Sequence, residues 1–424
     1  MSHPWEGTAK RRLLAVLEAH LVHDPAVAIH GPRSVGKSHL LRDFAKGRGV
    51  QVVDLDDPAV REAVESAPGV AVGGPPPVCI DEYQRVPDIL DALKALLNAN
   101  GASAGTAVLT GSTRHDALPV TAQALTGRLS VLTILPLSQG EIGGQVENFL
   151  AQFLVDPGGV VSAHPTSQTK RDEYIERVCA GGFPLALRRT GTSRDRWFDE
   201  YVTLSVERDA LELSKIRQRD ALRALLERLA GQTGQILNLT KAASETRATY
   251  DTVEAYTRLL EDLFLVQRLP AWGKTLRART ASSPKVHVVD SGLAARLLRL
   301  SPAQLRTLEP TALTEFGNLL ETFVVNELRK QVSWLDQQLT VGHWRTHDGD
   351  EVDFVVEDDE GQVVAFEVKA GDRVPGSDLK GLRKLREALS TRFTGGVALC
   401  TGPRSYTAED RIHVLPIDRL WRPV

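Results

Sequence analysis

The stretch HGPRSVGKSHLL, His30 to Leu41, carries the spacing G-x-x-x-x-G-K-[ST], from Gly31 through Gly36 and Lys37 to Ser38. Before it, the apolar run AVAIH (Ala26 to His30) has the length of a buried strand. After it, SHLLRDFAKG sets Leu40, Leu41 and Phe44 at helical spacing and closes on a glycine. Strand, glycine loop and helix thus follow in the order needed to hold a nucleoside triphosphate. The expected cradle is Gly31, Pro32, Arg33, Ser34, Val35 and Gly36, with Lys37, Ser38 and His39 opening the helix. Backbone amides and the helix N-terminus face the phosphates, Lys37 neutralises the β and γ charges of ATP, and the Ser38 hydroxyl ligates Mg²⁺.

At 424 residues the chain exceeds one ordinary hydrophobic core, so two to four domains are expected. Hydrophobic residues at 42% and charged residues at 25% fit a folded soluble protein. No apolar run approaches the roughly eighteen residues that span a bilayer, and MSHPWEGTAKRR lacks the apolar core of a signal peptide. The expected location is the cytoplasm, with no membrane partner. Cys79, Cys179 and Cys400 form no CxxC pair, which argues against a zinc site or a disulfide framework. A net charge of -3 exerts no global pull on nucleic acid, so such binding has to come from local basic faces such as RRTGTSRDR, Arg188 to Arg196.

PPPVCIDEYQ (Pro75 to Gln84) reads as an apolar strand ending in two carboxylates. Asp81 falls at the carboxyl end of that strand as a direct or outer partner of Mg²⁺, and Glu82 polarises the attacking water. The next strand, TAVLTGSTR, ends in hydroxyls, of which Thr110 or Ser112 contacts the γ-phosphate or the water. LTGRLSVLTILPLSQGE adds a strand preceded by Arg128. The set of P-loop, IDEYQ, LTGS, and GR followed by a strand and PLS resembles the AAA+ ATPases. It is similar in particular to the prokaryotic family in which this ATPase is joined to a C-terminal domain of unknown function with a restriction-endonuclease-like pattern. The resemblance implies a sensor role for Ser112 or Thr110, and a phosphate contact for Arg128 in its own or a neighbouring subunit. A structural salt bridge is the equal alternative for Arg128.

From about Asp172 to Ala230 the pattern is helical, with Tyr174 and Val178, a break at GGFP, and then Trp197, Tyr201 and Leu204 on one stripe. The segment resembles the helical lid of AAA+ proteins, with Arg208 as its candidate arginine. Ile236 to Leu269 contains two helical patterns joined at SETRATYD, which suit a helix-turn-helix, and LFLVQRLP with KVHVVD supplies the strands of a wing. The second helix offers Thr249, Tyr250, Thr252 and Arg258 to DNA, although Glu261 and Asp262 oppose that contact. DNA and protein remain equal alternatives as the partner.

In the last third, EFGNLLETFVVNELRKQ is an amphipathic helix burying Leu319, Phe323, Val324 and Leu328, with Glu321 off that stripe. Three strand-like runs follow, VGHWRT, EVDFVVE and QVVAFEVKA, then a helix and the strand GGVALC. Glu367 and Lys369 share one face of their strand, while Phe366 and Val368 turn to the other. With Asp353 and a glutamate from the helix they form an oxygen-lined site for Mg²⁺ or Mn²⁺ beside a lysine that positions water. The arrangement resembles the PD-(D/E)XK phosphodiesterases, which implies Glu321, Asp353 and Glu367 as metal ligands and Lys369 as the catalytic lysine. Glu351, on the same face as Asp353, is an alternative or additional ligand. Superfamily members also include binding domains without hydrolysis.

The expected fold is α/β: a P-loop AAA+ parallel-sheet domain over residues 1–145, a helical lid over 146–230, a winged-helix module over 231–300 and a PD-(D/E)XK nuclease-like domain over 301–424. The expected function is ATP binding and hydrolysis coupled to DNA binding or processing, with a homo-oligomer as a further expectation. The alternative is an ATP-switched DNA- or protein-binding regulator whose nuclease fold is a scaffold.

Overall fold

A computed structural model describes residues 4–113, 125–163, 165–206, 210, 219–246, 248–273 and 283–423. Arg208 lies outside the described residues. Near the start of the chain, β1 (Ala26–His30), β2 (Val52–Asp54), β3 (Val78–Asp81), β4 (Ala107–Gly111) and β5 (Leu129–Thr133) form a five-stranded sheet in the order β2-β3-β4-β1-β5. Every neighbouring pair is parallel. Both faces of β1 are covered, which is why AVAIH is apolar without alternation. Alternate residues go to different cores. Ala26 and Ala28 pack with Leu90, Leu93 and Leu97 of the helix Ile89–Ala99, while Val27 and Ile29 pack with Leu40, Leu41 and Phe44 of the helix Lys37–Arg48. The second core continues into the remainder of the chain.

The first helices of the segment expected as a lid pack elsewhere. Phe149 and Phe153, one turn apart on the helix Phe149–Val155, lie 6.2 and 5.5 Å from Phe366 in the C-terminal region. They cover that sheet and do not reach over the glycine loop, because their two rings need an apolar partner face. Trp197 and Tyr201 are buried as expected, whereas Leu204, on the last turn of its helix, is 57% exposed. The helix Arg171–Ala180 packs on the distant helix Ser291–Leu297, and the Ser291 hydroxyl donates to the Val178 carbonyl at 2.9 Å. The boundary expected at residue 230 therefore runs through a packed unit.

Within that unit the helix Arg219–Ala230 is followed by β6 (Gln235–Ile236), the helices Leu239–Thr246 and Tyr250–Asp262, then β7 (Val266–Leu269) and β8 (Lys285–Val288). The strands form an antiparallel sheet in the order β6-β8-β7. Ala242, Ala243, Val253, Leu259, Leu260 and Leu263 are buried, as the helical spacing requires.

The long helix Pro310–Val332 leads into β9 (Thr340–Arg345), β10 (Glu351–Glu357) and β11 (Val363–Lys369), the helix Lys380–Leu389, and β12 (Phe393–Cys400), in the expected order. Two further strands, β13 (Tyr406–Glu409) and β14 (Ile412–Pro416), extend the sheet to β13-β14-β12-β11-β10-β9. Among the described residues no helix is long and apolar enough to cross a membrane.

Candidate functional site

The glycine loop leaves β1 at the carboxyl edge of the first sheet, between β4 and β5. Gly31 is pressed against the chain after β5, and a Cβ there would stand 2.1 Å from the Ile134 carbonyl oxygen. Ser34 (φ 61°) and Gly36 (φ 96°) take left-handed conformations, which turn successive amides toward one side. Among the described residues no side chain caps the helix Lys37–Arg48, which leaves its first-turn amides to an anion. The Lys37 ammonium, 4% exposed, donates to the carbonyls of Gly31 at 3.0 Å and Pro32 at 2.9 Å, across the mouth of the loop. Val35 is buried and offers backbone alone. His39 faces solvent and pairs with Asp43 at 3.4 Å.

Asp81 and Glu82 arrive from β3, two strands away. Asp81 is buried, and burial raises its pKa against the opposing hydrogen bonds from the Thr110 and Ser38 hydroxyls. Loop and strand carboxylate therefore meet through Ser38. Glu82 sits in a left-handed backbone conformation at φ 54°. Its Oε2 accepts from the Ser112 hydroxyl at 3.1 Å and from the Gln84 amide, which also donates to the Ser112 hydroxyl at 3.0 Å. The two hydroxyls left open by the sequence thus have separate partners: Thr110 holds Asp81 and Ser112 holds Glu82. Gln84 was missed, although its place two residues beyond Glu82 in IDEYQ was a usable signal.

Arg11, also missed, braces the loop from behind. Its guanidinium donates to the carbonyls of Val35 at 3.1 Å and Leu135 at 2.6 Å and pairs with Glu141 at 3.2 Å. No spacing in the sequence ties residue 11 to a loop more than twenty residues away. Arg128 stands at the opposite edge of the sheet, its carbonyl accepting from the Ala26 amide and its guanidinium contacting Asn98. β1 spans five residues, so about 16 Å separates Arg128 from the loop. Parallel pairing puts the residue before β5 at the amino edge of the sheet, away from the edge that carries the glycine loop.

The C-terminal carboxylates do converge. The β10–β11 ladder ends at the pair Phe354 and Phe366, and beyond it Asp353 Oδ2 accepts from the Val368 amide at 2.9 Å. A bulge between Val352 and Val355, against β9, adds one residue there and re-aims the side chain. Phe366 and Val368 belong to the main core, as expected, and Glu367 pairs with Lys369 at 2.7 Å. Burial and then the Asp353 charge push the Glu367 carboxyl up to about 8, against the pull of Lys369. The unexpected member is Lys285 of β8. Its ammonium lies 2.8 Å from Glu321 Oε1 and 2.8 Å from Asp353 Oδ1, with a side chain 2% exposed. Burial alone would lower its pKa, but Asp353, then Glu321 and Glu351, raise it. Among the described residues, no group of three or more His, Cys, Asp and Glu side chains is placed to hold a metal ion. Glu321, Asp353 and Glu367, read from the sequence as ligands of Mg²⁺ or Mn²⁺, do not fit a divalent ion as they stand, because an ammonium occupies the point between two of them.

Residues 23–143 match the AAA domain family, and residues 171–304 and 316–420 each match a domain of unknown function. The first segment is accordingly a P-loop ATPase domain of the AAA type. The uncharacterized protein Rv2008c of Mycobacterium tuberculosis is 25% identical over 415 residues, covering 97% of this chain and 84% of that protein. Its counterpart in Mycobacterium bovis, Mb2031c, matches to the same extent. Among solved structures, the Walker-type ATPase PABY2304 of Pyrococcus abyssi is 15% identical, covering 70% of this chain and 97% of its own, with a TM-score of 0.42. The Holliday junction branch migration motor RuvB of Thermotoga maritima is 17% identical, covering 68% and 93%, with a TM-score of 0.30.

Proposed function

We propose that the chain is an ATP-hydrolysing switch whose N-terminal domain drives its middle and C-terminal parts on DNA. The observation that carries the ATPase half is the pairing of two hydrogen-bonded sets at one sheet edge, Ser38 with Asp81 and Thr110, and Glu82 with Ser112 and Gln84. The loop amides and Lys37 bind the triphosphate. Ser38 and Asp81 suit Mg²⁺, an oxygen-seeking ion that when bound would neutralise charge on the β and γ oxygens. Glu82 accepts a hydrogen bond from the attacking water, Ser112 and Gln84 fix its carboxylate, and the bridging bond breaks to leave ADP and phosphate. Arg128 serves a neighbouring subunit's phosphates in a homo-oligomer, since its own loop is out of reach.

The order helix, strand, helix, helix, strand, strand over residues 219–288 supports a winged-helix reading of the middle part. On the second helix Thr249 is spent as the N-cap, bonding the Thr252 amide at 3.2 Å, while Tyr250 is exposed. Arg258 pairs with Glu254 at 2.9 Å. The order of elements from Pro310 to Cys400 supports a nuclease-like fold, and the proposal for that domain is binding.

The deciding experiment measures phosphate release and fluorescence polarisation of labelled duplex, branched and single-stranded DNA, with and without a non-hydrolysable ATP analogue. ATP-dependent DNA affinity is expected. Phosphate release unaffected by every DNA form, with no change in polarisation, would remove DNA as the partner and leave the ATPase reading intact.

A further inference from the structure

β8 is the central strand of the small sheet, and its pleat explains where Lys285 goes. Val286 and Val288 enter the main core, while Lys285 and His287 alternate with them. Both face the helix Pro310–Val332: His287 Nδ1 bonds the Thr322 hydroxyl at 3.1 Å, and Lys285 reaches the adjacent Glu321. The lysine is therefore aimed by its whole strand. It also spans two parts of the fold, since Glu321 and Asp353 belong to the C-terminal helix and sheet.

Lys285 and Lys369 already supply two positive charges to the carboxylates Glu321, Asp353 and Glu367. A divalent ion between Glu321 and Asp353 would stand against the Lys285 ammonium at contact distance, where like charges repel. Space agrees, because metal–oxygen distances are about 2.0–2.6 Å, and an atom 2.8 Å from both carboxylates already fills the intervening point. The backbone that carries the ammonium is itself enclosed, since the four residues of the strand are all buried.

We propose that Lys285 is the resident cation of this cluster, standing where a divalent metal would sit, and that the cluster is an ion-paired joint between the small sheet and the C-terminal domain, not a hydrolytic centre. The inference rests on the nuclease-like reading only for where a metal would sit, and it is independent of the ATPase reading.

Two measurements on the full chain without nucleotide test it. In a Mn²⁺ titration followed by electron paramagnetic resonance, the wild type shows no binding component that Asp353→Asn removes, and Lys285→Met gains one. In acetylation mapped by mass spectrometry, Lys285 reacts at least about tenfold more slowly than the exposed Lys94, because it needs local opening to react. Asp353-dependent Mn²⁺ binding by the wild type, or equal acetylation of the two lysines, overturns the proposal. So does plasmid nicking by the wild type with Mn²⁺ that Asp353→Asn abolishes. The acetylation needs no variant, so it decides even if Lys285→Met does not fold.

Discussion

The Ser112 hydroxyl donates to Glu82 Oε2 at 3.1 Å, and the Gln84 amide donates to both partners, so one carboxylate oxygen is fixed from two strand ends. Glu82→Gln is expected to lower kcat for ATP by about 10²–10⁴-fold while leaving nucleotide binding intact. Gln84→Ala is expected to lower kcat by about tenfold at unchanged KM, since it removes orientation and not binding. Steady-state phosphate release checks both. A Glu82→Gln enzyme as fast as the wild type would exclude this residue from water activation.

Lys37→Ala should abolish triphosphate binding by calorimetry and leave the circular dichroism spectrum unchanged. The ammonium donates to two carbonyls of its own loop, while the loop's shape is set independently by Gly31 against Ile134. Unchanged ATP affinity would show that the phosphates bind elsewhere.

Arg11→Ala removes the cation beside buried Glu141, which keeps the backbone amides of Arg12 and Ser138, at a cost of about 1–3 kcal/mol. The melting temperature falls, and KM for ATP rises because the Val35 carbonyl loses its brace. A variant with wild-type melting and KM would mean that the strut is dispensable.

Glu147 gives a pH signature. Burial, followed by the charges of Glu327 and Glu141, raises its carboxyl from 4.5 to about 7, against the Ser138 hydrogen bond. Folding therefore takes up a proton between those values. The associated stability is full below about 4.5 and is lost as the pH rises through 7, amounting to about 3 kcal/mol. Glu147→Gln should melt higher than the wild type at pH 8 and lose that advantage at pH 4. A difference independent of pH would refute the assignment.

What the sequence disclosed followed contiguity. The glycine loop, the carboxylates at the end of β3 and the hydroxyls at the end of β4 each sit where an apolar run ends, so strand ends could be read one by one. The alternation of Phe366 and Val368 with Glu367 and Lys369 was legible for the same reason. Arg11, Arg128 and Lys285 were not, because their roles depend on pairing between distant segments. The edge to which Arg128 belongs follows from the parallel register of β5 with β1. Lys285 sits in KVHVV, where a strand pattern makes a lysine look like a solvated edge, and only the packing of β8 on Glu321 buries it.

The helix Pro310–Val332 touches both ends of the molecule's chemistry. Glu321 grips Lys285, while Glu327 accepts from the Gln139 amide at 2.9 Å and Lys330 donates to the Leu137 carbonyl at 3.0 Å, just past the strand that flanks the nucleotide loop. Glu321 and Glu327 are six positions apart, about 9 Å along a rigid rod. One unbroken helix thus carries both the contacts to the Leu137–Gln139 segment and the glutamate that holds Lys285, so the two attachments share a single backbone.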